Sequence, residues 1–178
     1  VNLDQIKATI TTVPDYPKPG IQFRDVTTLM QHDAAFKACI HHLAARFDDL
    51  KVDKVAGTEA RGFVFGAPLA MALSVGFVPI RKANKLPRAV IRQEYELEYG
   101  KDMLELHRDA VQPGDRILLI DDLLATGGTM LATAALVRQL GGVVEDAGFV
   151  VDLPALGGRA RLQEAGIRCH TLCQFEGD

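Results

Sequence analysis

Excess charge of either sign is lacking. Twenty Lys and Arg against 23 Asp and Glu leave this 178-residue chain at −3. Such a chain has no general attraction for nucleic acid or an acidic membrane, so any anion site has to be local. Cysteine is sparse. Cys39, Cys169 and Cys173 leave one thiol over under any disulfide scheme, and with no signal peptide in view a reducing cytoplasm is expected. Cys169 and Cys173 flank His170, but three donors without a second cluster fall short of a structural zinc site, so buried thiols are expected. One long uncharged run exists, Gly62–Ile80, approaching the length of a membrane span. Gly66, Pro68, Gly76 and Pro79 punctuate it, which predicts a helix followed by a buried strand instead. Repeats, low-complexity stretches and linkers are also missing. A single domain over 1–178 is the natural expectation, and 48% hydrophobic residues are ordinary for a globular protein.

What is present is alternation. Leu3, Ile6 and Ile10 have helical spacing that Pro14–Gly20 ends. From Asp33, a plausible N-cap, Phe36, Ile40, Leu43, Ala44 and Phe47 mark one helix face. The neighbours His41 and His42 within it cannot converge on one metal. Strand-like Val52–Ala56 precedes a helix over about Phe63–Leu73, then strand-like Phe77–Ile80 and a polar excursion, Arg81–Asp115. Arg116–Ile120 reads as a buried strand, and Met130–Leu140 as a helix closed by Gly141 and Gly142. Strand Val143–Val151, a short helix near Arg159–Ala165 and a strand near Arg168–Leu172 complete the pattern. The alternation predicts an α/β fold, a mainly parallel twisted sheet flanked by helices on both faces. Ligands in such sheets gather beyond the carboxyl ends of strands, which nominates Gly57–Gly62, Arg81–Arg92, Asp121–Thr129 and Asp152–Gly158.

The sharpest signal is the segment Ile117–Thr129: four apolar residues, Asp121 and Asp122 at the predicted strand end, and then Ala125-Thr126-Gly127-Gly128-Thr129 opening a helix. Gly127 and Gly128 let backbone amides approach an anion, while Thr126, Thr129 and the helix N-terminus add donors and partial positive charge. A monophosphate fits. The acids suit ribose hydroxyls and positive charge developing on a sugar ring. Neither G-x-x-x-x-G-K-[ST] nor a strand-following G-x-G-x-x-G occurs. Arg81, Lys82, Lys85, Arg88 and Arg92 form a basic run without an acid. Aromatic residues are missing from it, so a highly charged small anion suits it better than single-stranded nucleic acid.

Strand, paired acids and A-T-G-G-T together resemble the 5-phosphoribosyl-1-diphosphate motif of type I phosphoribosyltransferases. Gly20-Ile21-Gln22-Phe23-Arg24-Asp25, Gly57-Thr58-Glu59-Ala60-Arg61-Gly62-Phe63, Arg81-Lys82 with Lys85-Leu86-Pro87, and Leu97-Glu98-Tyr99-Gly100-Lys101 narrow this to the adenine phosphoribosyltransferase family. The resemblance implies transfer of the 5-phosphoribosyl group to adenine, giving AMP and diphosphate, with Mg²⁺ held mainly by substrate oxygens and water. It implies that Ala125, Thr126, Gly127, Gly128 and Thr129 hold the 5-phosphate, and that Asp121 and Asp122 hold the ribose. Glu59, Ala60, Arg61, Arg81, Lys82 and Lys85 would meet the diphosphate, and an unusual peptide geometry near Glu59 would be functional. Gln22, Phe23 and Arg24 would meet the base, within a hood over 1–32. Glu98 would exchange a proton with the purine from a mobile β-ribbon flap within 81–110. A homodimer is implied too. Asp152-Leu153 and Ala83-Asn84 depart from the family pattern. Two rival readings are transfer to another base and a regulatory module that binds the sugar diphosphate without turnover.

Overall fold

A computed structural model describes residues 1–97 and 100–177. Helix α1 (Leu3–Ala8) starts on a capping box in which Asn2 and Gln5 satisfy each other's amides. Strands β1 (Thr11–Val13) and β2 (Phe23–Asp25) pair antiparallel as a small separate sheet. After α2 (Thr27–Gln31) comes α3 (Asp33–Phe47). The cap of α3 is His32, not Asp33: His32 Nδ1 accepts from the Ala35 amide at 3.1 Å, while Asp33 sits in the first turn. An imidazole nitrogen can do what the expected carboxylate would have done.

The main sheet then builds up from β3 (Lys54–Thr58), α4 (Arg61–Ala72), β4 (Gly76–Lys82), the hairpin β5 (Val90–Leu97) and β6 (Gly100–His107), and β7 (Arg116–Leu124). Helix α5 (Gly128–Gln139), β8 (Val143–Asp152), α6 (Gly158–Glu164) and β9 (Arg168–Gln174) complete it. Strand order is β5-β6-β4-β3-β7-β8-β9. The β4-β3-β7-β8-β9 portion is parallel, and the hairpin adds antiparallel at the β4 edge.

Strand β7 is the middle of the five parallel strands and explains its own position. Ile117, Leu118, Leu119 and Ile120 are all 0–2% exposed. Leu118 and Ile120 face the core that α1, α3 and α4 close, while Ile117 and Leu119 face the core under α5 and α6. A strand covered on both faces reads as an unbroken apolar run. Close approach of α4 to the sheet depends on Gly66, where a Cβ would stand 2.5 Å from Phe77 Cε1 and 2.7 Å from Ile120 Cγ2.

Strand β7 does not end at Ile120 as the sequence pattern suggests. It runs on through both acids, with Asp121 opposite Phe149 and Leu124 opposite Asp152 of β8. The paired acids therefore sit inside a hydrogen-bonded ladder. Arg81–Asp115 is likewise no loose excursion: Leu104 and Leu106 of the hairpin are buried in the second core. Cys39 and Cys173 are buried, and desolvation pushes their thiols up to about 12 and about 11, whereas Cys169 is only half-buried. His170 turns away from both neighbours to Asp146 at 2.9 Å and the Phe47 ring. Among the described residues, no helix is long and apolar enough to cross a membrane.

Candidate active site

Beyond the carboxyl ends of β3 and β7 lies a cleft of about 670 Å³. The hood lines one wall through Ile21, Gln22, Phe23 and Arg24; the chain from Asp121 to Met130 forms the floor; Phe149, Leu153 and Leu156 add an apolar side. A second recess of about 270 Å³ is lined by Thr58, Glu59, Ala60 and Arg61 from the β3–α4 turn, with Lys82 and Tyr95 opposite. Arg61, Asp121, Asp122 and Thr129 line both spaces. Two cavities of different chemistry thus meet at the paired acids.

The floor is built by α5's entry. Gly127 is its cap at φ 88°, a left-handed conformation that only glycine adopts without strain. At Gly128 a Cβ would meet nothing within 4 Å, so the backbone there borders open space. The first amides of α5 lack intrahelical acceptors by geometry, and the helix dipole adds to their positive character. This is an anion cradle made of backbone.

The acids differ. Asp122 is buried and accepts from Arg61 Nε at 2.5 Å, a counter-charge delivered from the start of α4. That carboxylate in turn pushes the Arg61 guanidinium above its ordinary value. Asp121 accepts the Asp122 amide at 2.8 Å. Desolvation, reinforced by the charge of Asp122, raises its carboxyl well above 3.8. Asp122 lies against its arginine, whereas Asp121, desolvated beside a second carboxylate, resists ionising until positive charge comes near.

Glu59 is the hub of the basic region. Its Oε1 accepts from Arg81 Nε at 3.1 Å and from the Lys82 amide at 2.9 Å, and its Oε2 accepts from Lys85 Nζ at 2.7 Å. Burial alone would raise this carboxyl. Donation by Lys85 and the Lys82 amide, with the charges of Lys85 and Arg81, outweighs burial and holds it below its usual range. The Glu59–Ala60 peptide is cis. Of the six residues expected near a diphosphate, Glu59, Ala60, Arg61 and Lys82 line the recess; Arg81 and Lys85 line neither space and are gathered on Glu59. The basic run is also less bare than its sequence suggests. Lys82 reaches Asp102 at 3.5 Å, Arg88 pairs with Asp109, and Arg92 with the buried Glu105.

In the hood, Phe23 is half-buried, edge-on to Tyr16 at 5.3 Å, and borders the cleft. Arg24 borders it too, with its guanidinium turned to Thr12 Oγ1 at 2.6 Å, the Glu176 carbonyl at 3.0 Å and the Phe175 ring. Glu98 lies outside the described residues. Sequence reasoning missed Phe149 and gave no individual role to Leu153 and Leu156, which lie in the nominated Asp152–Gly158 loop but whose apolar character carries no motif. It also missed Gly158 and Arg161, which touch the floor loop from α6. Gly158 at least ends one of the four nominated loops.

This geometry agrees with the chain's relatives. A family model described as the phosphoribosyl transferase domain matches residues 25–151. Adenine phosphoribosyltransferase of Pseudoalteromonas atlantica is 61% identical over 173 residues, covering 97% of each chain. The crystal structure of adenine phosphoribosyltransferase from Thermoanaerobacter pseudethanolicus superposes with a TM-score of 0.93 at 49% identity, over 98% of this chain and 100% of that one. The Saccharomyces cerevisiae enzyme, crystallised with an imino-altritol bisphosphate and adenine, superposes with a TM-score of 0.89 at 37% identity, over 96% of this chain and 97% of that one. With this fold, these joined clefts and this coverage, the chain belongs to the phosphoribosyltransferase family, among its adenine phosphoribosyltransferases.

Proposed function

We propose that this chain transfers the 5-phosphoribosyl group of 5-phosphoribosyl 1-diphosphate to adenine, giving AMP and diphosphate in purine salvage. The observation that carries it is the meeting of two clefts at Asp121 and Asp122. A reaction that exchanges diphosphate for a base at one sugar carbon needs such a junction. In this reading Ala125–Thr129 cradle the 5-phosphate through backbone amides and hydroxyls. Asp121 and Asp122 accept from the ribose hydroxyls. The diphosphate lies in the recess of Glu59, Ala60, Arg61 and Lys82, with Arg81 and Lys85 brought close by Glu59. Adenine stacks on Phe23, and the backbone of Gln22 and Arg24 reads its edge.

The bond from the anomeric carbon to the diphosphate oxygen breaks as a ring nitrogen of adenine bonds to the same carbon. Positive charge on the ribose grows in between, and the two carboxylates stabilise it. Glu98 takes up the proton that adenine gives up. The hairpin, as a flap within 81–110, keeps water from the activated sugar.

Magnesium fits as a guest of the substrate. Asp122 already holds Arg61. Diphosphate and ribose oxygens would carry most of the coordination, with Asp121 or Asp122 reached through water, and the ion would neutralise leaving-group charge. A homodimer completes the proposal. The stripe Phe63, Ala67, Met71 at helical spacing on α4 supports it, with Met71 80% exposed. A cytoplasmic setting suits the three free thiols. One catalytic unit over 1–178, with 1–32 as its hood, is the organisation this reading needs.

The decisive assay is adenine-dependent release of pyrophosphate, run with and without magnesium, beside hypoxanthine, guanine and orotate. Turnover with adenine is expected. Preference for another base rejects the substrate; tight binding of the sugar diphosphate without turnover rejects the enzyme.

A further inference from the structure

Helix α6 lies behind the floor loop and touches it twice. The Gly158 amide donates to the Ala125 carbonyl at 3.1 Å. Arg161 Nη1 donates to the Thr126 carbonyl at 2.7 Å. A trans peptide is planar, with its carbonyl and its amide N–H pointing in opposite directions. Holding the Ala125 and Thr126 carbonyls on the α6 side therefore turns the Thr126 and Gly127 amides to the other side, where the cleft lies. Gly158 permits the approach: a Cβ there would stand 2.4 Å from the Ala125 carbonyl oxygen.

The helix is itself fastened to the sheet. Arg159 donates to the Cys169 carbonyl at 2.8 Å, to Thr171 Oγ1 at 3.1 Å and to the buried Asp152 carboxylate at 3.4 Å. A rigid path thus runs from β8 and β9 through Arg159 to α6, and from Arg161 to the loop. Arg161 is exposed, forms no ion pair with a described residue, and lines the space between the hairpin and α5 together with Thr126, Gly128 and Thr129.

We propose that Arg161 is a positioning residue for the 5-phosphate, aiming the loop's amides from behind without touching the substrate. The inference rests on the transferase reading above. Loss of a charge-assisted bond to an exposed guanidinium predicts that R161A and R161M weaken phosphoribosyl diphosphate, read as KM, and ribose 5-phosphate, read as Kd by calorimetry, by about three- to tenfold. The KM for adenine should stay within about twofold of wild type, and R161K, which can still donate to the carbonyl, should recover most of the loss. A general loosening of the fold would move both substrates together and would not be rescued by lysine. Normal wild-type turnover with R161A unmoved, equal losses for both substrates, or R161K as impaired as R161A overturns this inference alone. Wild-type chain that neither binds ribose 5-phosphate nor consumes the sugar diphosphate overturns the transferase reading and this inference with it.

Discussion

Replacing Arg61 by Met tests how the two acids are kept together. The variant retains an aliphatic stem but removes the guanidinium whose Nε lies 2.5 Å from Asp122. Breaking a fully buried ion pair costs about 3–5 kcal/mol, and an exposed one about 0–1. Here Asp122 is 9% exposed and Arg61 50%. Solvent screening of the arginine places the loss between those limits, about 1–2 kcal/mol. For a chain of this size that lowers Tm by about 2–8 °C at neutral pH. The pH dependence has a definite sign. Desolvation and the charge of Asp122 already raise Asp121, and loss of Arg61 raises it further. A carboxyl raised on folding contributes stability that is present below its ordinary value and lost as pH rises through the folded value. Stability of R61M should therefore fall more steeply with pH than that of wild type, and the gap should narrow on acidification. Thermal denaturation followed by circular dichroism between about pH 4.5 and about pH 8 measures this. Equal Tm values at neutral pH, or a gap that widens as pH falls, would refute the reasoning.

Three other outcomes are expected. D121N removes a carboxyl that resists ionisation, so Tm at neutral pH should rise while kcat falls; a loss of stability at neutral pH counts against the strained-acid account. E98Q should lower turnover about 10²-fold or more, and wild-type rates in steady-state assays would remove its proton-transfer role. G66A forces a methyl group against Phe77 and Ile120 and should destabilise by about 1–3 kcal/mol in denaturant titrations, so unchanged stability would contradict the close packing of α4.

The segment from Ile117 to Thr129 was legible because three local patterns coincide there: an apolar run, paired acids and a glycine-rich helix entry. What was not legible is long-range. The strand seemed to end at Ile120 because acids suggest solvent, yet Arg61, 61 positions away along the chain, supplies the counter-charge that lets Asp122 sit in a ladder. The basic run from Arg81 to Arg92 contains no acid in sequence, but the fold brings Glu59, Asp102, Glu105 and Asp109 to its cations. Strand and helix types emerged from periodicity, whereas their ends depended on pairing partners, as with Leu124 opposite Asp152. In the apolar wall, Phe149 had no signature and Leu153 and Leu156 were marked only by the loop that holds them, since residues that shape a cleft and residues that fill a core are chemically alike. Arg161 was silent for a related reason: an arginine on a short surface helix resembles any solubilising charge until its carbonyl partner is known.

Among the described residues the hairpin joins the sheet through two residue pairs, Arg81 with Glu105 and Lys82 with Leu104. A ribbon that departs from and returns to one edge can lengthen or shorten at its tip without reordering the strands behind it. Yet its root is made of cations that border the recess or gather on Glu59. The point where the ribbon leaves the sheet and the charge of the recess are thus set by the same two neighbouring residues, so a substitution at either would alter edge pairing and recess electrostatics together.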